Sequence, residues 1–142
     1  MNTDTLEKTK LIAEFSAGTI EKIGKIMKMT YAEDAQVDLL TLKEISEIRA
    51  RFFGETNYCT LVDIRNSNVE FTKEAKEFVT VNPIVTNLRV AEVILMETFD
   101  QKMEVHDYIR IYRHGDDVAV MTDEENAINW LNRKFKEFSE SK

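Results

Sequence analysis

In the stretch KIMKMTY, Met27, Met29 and Tyr31 fall on one side and Lys28 and Thr30 on the other, the two-residue period of a half-buried strand. Gly24-Lys25 stands just before it, with glycine at the first central position of a two-residue hairpin turn. Two antiparallel strands are therefore expected, Ala13–Ile23 and Ile26–Tyr31, with Gly18 marking a bulge in the first.

The period then changes. Leu42, Ile45, Ile48 and Phe52 are spaced three, three and four apart, which draws one apolar stripe along a helix. Asp38 or Thr41 can cap its start, and Gly54 stands where a left-handed terminating residue is expected. YCTLVDI is apolar almost throughout, as in a parallel strand covered on both faces. Thr72 caps a second helix carrying Ala75, Phe78 and Val79, which Asn82-Pro83 ends. RVAEVILM reads as another buried strand, FDQKMEVHDYIRIYR as a helix of irregular spacing, and DVAVM as a short last strand. The segment TDEENAINWLNRKFKEF closes the chain as a helix, with Thr122 and Glu125 as a capping box and Ile128, Leu131, Phe135 and Phe138 on its apolar face.

The order β-β-α-β-α-β-α-β-α predicts an α/β fold. Its mixed sheet has about five strands, an antiparallel N-terminal hairpin leading into a βαβαβα run. With one proline and four glycines in 142 residues there is no linker, so residues 1–142 read as one domain, fraying at 1–8 and 139–142.

Composition narrows the function. A formal net charge of −7 disfavours nucleic acid and anionic lipid as partners. The lone Cys59 rules out an internal disulfide and fits a reducing compartment. No signal peptide and no membrane-length apolar run is present, so a cytoplasmic location is expected.

Catalysis finds little support in the residue pattern. His106 and His114 are eight apart, which does not place two metal ligands on one helical face. Cys59 sits inside an apolar strand without a flanking base. The acids Asp116-Asp117 and Asp123-Glu124-Glu125 read as a turn and a helix's first turn, not as cation ligands. No catalytic group, no metal and no cofactor is therefore expected.

The loop after YCTLVDI is the best candidate site. Ligands of open α/β sheets bind beyond the carboxyl ends of the strands, where helix N-termini leave N–H groups free. Asp63, Arg65, Asn66 and Ser67 lie there, with Thr72 and Thr122 at helix starts. The competing reading is local. Asp63 and Asn66 would bond loop backbone, Arg65 would pair with a carboxylate, and the threonines would be caps.

LVDIRN followed by TKEAKEF, the later TDEENAINWL, and the opening IMKMTYAEDAQVDLLTLKEI resemble small bacterial STAS-like proteins. These are similar in fold to the sporulation anti-sigma-factor antagonist and are grouped loosely with CRAL-TRIO lipid-transfer domains. The resemblance spans Ile26 to Phe138 and implies a non-enzymatic module that regulates by docking to protein, a second copy of itself included. In phospho-regulated members a serine at the start of the helix after the central strand is modified. That position falls at Ser67–Thr72, but NSNVEFTKEA replaces their Asp-Ser-Ser-Gly type of run and leaves Thr72 for the role. The alternative is a small-ligand or lipid-binding domain of the CRAL-TRIO type.

Overall fold

The computed structural model describes residues 9–81, 88–98, 101, 105–107, 109–110 and 117–141. Its main sheet has six strands. β1 (Thr9–Phe15), β2 (Gly18–Ile23) and β3 (Ile26–Tyr31) form an antiparallel meander. β5 (Tyr58–Asp63), β7 (Arg89–Leu95) and β8 (Val118–Met121) then add in parallel, in the order β1-β2-β3-β5-β7-β8. Two short strands, β4 (Gln36–Val37) and β6 (Glu70–Phe71), pair in parallel as a separate ribbon. The helices are α1 (Leu39–Phe53), α2 (Lys73–Val81) and α3 (Glu124–Glu140), and residues 105–107 and 109–110 are also helical.

The expected mixed α/β architecture is therefore observed, with two corrections at its start. The long strand expected over residues 13–23 is two strands joined at Ser16-Ala17. Gly18 is no bulge: it opens β2 opposite Tyr31, and a Cβ there would lie 2.0 Å from the Thr30 carbonyl oxygen. The register shift falls instead in β1, between Leu11 and Ala13. The hairpin at Gly24-Lys25 is as expected, with Gly24 at φ 60°.

Two apolar layers hold the sheet. On one side Met27, Met29, Tyr31, Tyr58, Val62, Ile94 and Met96 meet Leu42, Ile45, Ile48 and Phe53 of α1 and Ala75 of α2. The helix stripe ends on buried Phe53 where Phe52 was expected, and Phe52 is half-buried. Two cations crowd the electronegative end of α1. Lys22 Nζ donates to the Phe52 carbonyl at 3.1 Å, and the buried Arg49 donates through Nη1 to the Gly54 carbonyl at 2.8 Å.

On the other side α3 covers β5, β7 and β8, where Ala127 and Leu131 close over Cys59, Leu61, Val93 and Leu95. The same face of β2 and β3 carries Thr19, Glu21, Lys28 and Thr30, all half-buried. An antiparallel meander tolerates this one-sided solvation; the fully buried parallel strands do not. The closing helix extends to Glu140 and so continues through 139–140, where fraying was expected. Asn82-Pro83 and residues 1–8 lie outside the described residues.

The cap of α3 is another correction. Asp123, not Thr122, is the N-cap, and its carboxylate accepts the Asn126 N–H at 2.8 Å. Replacing Leu131, fully buried, by alanine should lower the unfolding free energy in urea by about 2–5 kcal/mol. Asp123→Ala should cost about 1 kcal/mol and Thr122→Ala less. A Thr122→Ala variant more damaging than Asp123→Ala would show that the hydroxyl has another task.

Candidate functional site

Because β3, β5, β7 and β8 are parallel, their carboxyl ends and the starts of α1, α2 and α3 gather at one edge of the sheet. The candidate loop lies there. Ile64 still donates its N–H to the Leu95 carbonyl at 3.0 Å, and Ser67 N–H closes a turn onto the Ile64 carbonyl at 3.1 Å. The side chain of Gln101 then clamps the turn from outside. Its Nε2 donates to the carbonyls of Ile64 at 2.6 Å and Ser67 at 2.9 Å. Nothing in the residue pattern singled out Gln101, because a lone amide in an irregular helical segment carries no periodic signal.

Asp63, at the end of β5, is buried and acts on its own loop. Its Oδ1 accepts the Arg65 backbone N–H at 3.1 Å and Arg65 Nε at 3.0 Å, and its Oδ2 accepts Nη2 at 2.8 Å. The same Nη2 reaches Glu124 Oε1 in the first turn of α3 at 3.0 Å. Lys28 Nζ joins from β3, 3.0 Å from Oε1 and 3.1 Å from Oε2 of Glu124, and 3.7 Å from Glu21. Glu124 thus ties the sheet, the loop and α3 together. It was expected only as a first-turn acid.

Burial alone would raise the Asp63 carboxyl, but the hydrogen bonds and charge of Arg65, with Lys28 further off, hold it below its ordinary value of 3.8. The same pairing, with Glu124 adding to it, raises the Arg65 guanidinium against its own partial burial.

The other candidates separate by exposure. Asn66 is exposed. Ser67 is buried, and its hydroxyl donates to the Ala32 carbonyl, so it presents nothing to a modifying enzyme. Thr72 is exposed and caps α2, its Oγ1 accepting the Ala75 N–H at 3.1 Å. Thr122 is exposed beside the Asp123 cap at the same edge. Asp63, Arg65 and Thr72 therefore do the local work that the competing reading assigned them.

Away from the loop, burial raises the Cys59 thiol to about 11 despite an opposing backbone hydrogen bond from Ala91. At neutral pH it is a thiol and a poor nucleophile. His106 is exposed, and His114 and Asp116 lie outside the described residues. A buried polar pair escaped the sequence reading: Thr60 Oγ1 donates to Glu92 Oε2 at 2.6 Å on the face of the sheet that α1 and α2 cover, alongside Tyr58, Val62 and Ile94. A glutamate in an otherwise apolar strand was its only visible trace. Among the described residues no three ligating groups gather to hold a metal ion, and no helix is long and apolar enough to cross a membrane.

Residues 20–135 match the model of a family described as a domain of unknown function, DUF7793. No curated protein matches the chain. A crystal structure of an uncharacterised protein from the DUF3478 family of Shewanella loihica PV-4, described as having a SpoIIAA-like fold, is similar in architecture. It has a TM-score of 0.57 at 11% identity, covering 84% of this chain and 95% of that one. At that identity the likeness shows the fold alone.

The carboxyl of Asp63 titrates lower when folded than when unfolded, so the folded state binds fewer protons and gains stability from this group at higher pH. The gain should be present above pH 3.8 and be lost as pH falls through the lower folded value. In urea titrations across acid pH, Asp63→Asn should remove this part of the acid loss. Equal acid sensitivity in both proteins would detach Asp63 from it.

Proposed function

The chain belongs to the DUF7793 family, and on that footing we propose that it is a non-enzymatic regulatory module that docks to a protein partner through the carboxyl edge of its sheet. One observation carries this reading: the loop 63–68 is held from several sides while Asn66 stays exposed at its tip. A side chain held on a rigid frame and free at its end suits directional recognition. Chemistry would call for an activated nucleophile beside a base. The inert Cys59 thiol and the exposed His106 support the non-enzymatic reading. Regulation by phosphate, if the STAS-like resemblance extends so far, would fall on Thr72 and not on the enclosed Ser67.

The frame also dictates how to test the proposal. Removing Arg65 would strand the buried Asp63 carboxylate, and a weaker fold would then be confused with weaker binding. Asn66→Arg changes the exposed tip alone. Cross-linking in extracts of the host should join a partner to residues 64–72 of the wild type. Asn66→Arg should lose that product while keeping its melting temperature. Persistence of the same cross-links in the variant would move recognition elsewhere. Lipid retained on the purified protein in native mass spectrometry would favour the small-ligand alternative.

A further inference from the structure

Residues 32–38 and 66–72 run side by side as a parallel ribbon across the carboxyl edge. Asn68 N–H donates to the Glu33 carbonyl at 2.6 Å, Glu70 to Ala35 at 2.9 Å, and Thr72 to Val37 at 3.0 Å. Strand alternation sorts their side chains. Ala35, Val37, Val69 and Phe71 turn to the core. Asp34, Gln36 and Asp38 on one strap, and Asn68, Glu70 and Thr72 on the other, are all exposed. Glu33 and Glu74 border the ribbon, and Lys73 is the one exposed cation in these straps and the first turn of α2.

Beside this polar lattice stands Leu40, 71% exposed, the one exposed large apolar side chain among the described residues. It lies two residues before Leu42, about 200° around α1 and so opposite the stripe that enters the core. Nothing in the fold of the monomer calls for a leucine there.

We propose that the outer face of the ribbon, with Leu40, is the docking surface for a basic polypeptide segment. Its lysine or arginine side chains would meet the carboxylates, and an apolar side chain would cover Leu40. This deepens the docking reading above by naming the partner's chemistry. Asp34 and Asp38 stand about 13 Å apart on one strap, and Glu70, paired with Gln36 about 4.8 Å away on the other, falls between them. Acids spread in this way suit cations spaced along an extended chain, whereas a single metal ion needs ligands that converge. Nucleic acid and anionic membrane would be repelled. So would a second copy of a chain with net charge −7. Charge would speed the encounter, and burial of Leu40 would slow release.

The test is an NMR titration with a synthetic peptide of alternating lysine and leucine, and with a matched peptide carrying glutamate for lysine. Amide shifts should be confined to residues 33–40 and 68–74 and should weaken with added salt. Asp34→Asn with Glu70→Gln, neither of them a cap, should reduce affinity about tenfold. Leu40→Ser should weaken binding of the lysine-leucine peptide but not of a lysine-serine one. Glu137→Gln with Glu140→Gln, equally exposed on α3, should change nothing. Shifts spread over every acidic surface, equal losses in the α3 control, or self-association through the ribbon would overturn the proposal. If Asn66→Arg abolishes partner capture while the ribbon variants bind as wild type, docking at the edge stands and the basic partner falls.

Discussion

Parallel pairing of β3, β5, β7 and β8 is the constraint from which the rest of the molecule follows. Each parallel step obliges the chain to return to the opposite edge before the next strand, so strand ends and helix starts accumulate on one side. The loops 32–38 and 64–72 and the turn before α3 are neighbours for that reason, although they are far apart in sequence. The antiparallel meander has no such obligation. Its tight turn at Gly24-Lys25 falls at the opposite edge, and the one at Ser16-Ala17 only supports the carboxyl edge, where the Ala17 carbonyl accepts the Ala32 N–H at 2.8 Å.

Within that edge, electrostatics divides the polar residues into those that hold and those that are held out. Glu124 accepts from both Lys28 and Arg65, and Asp63 uses both oxygens on Arg65. These groups are half-buried or buried, so their charges are screened less than those of an open surface pair. Their hydrogen bonds are spent on the fold. Asn66 and, on the ribbon, Asp34, Gln36, Asn68 and Glu70 are turned out at the surface to meet another molecule, whereas Asp38 and Thr72 also cap α1 and α2.

Periodicity made the main elements legible. The alternation of KIMKMTY, the stripe ending at Gly54 and the uninterrupted YCTLVDI and RVAEVILM each correspond to one element with one dominant pattern. What failed was short or cooperative. β4 and β6 have two residues each, too few for any period, and exist through backbone pairing across the fold. The capping-box pattern points to Thr122, yet Asp123 is the cap, because only geometry decides which carboxylate or hydroxyl reaches the free N–H. The loop itself was found by its place after a buried strand. That Arg65 spans two carboxylates, one of them from a helix nearly sixty residues on, could not be read from either segment alone.

The burial of Cys59 gives the protein a built-in clock. The thiol lies on the central strand with no exposed surface, its sulfur 3.8 Å from the Leu131 carbonyl of α3. A maleimide or disulfide reagent reaches it only when that helix leaves the sheet. The labelling rate therefore counts excursions of α3, and because the chain has one cysteine, every modified molecule reports the same event.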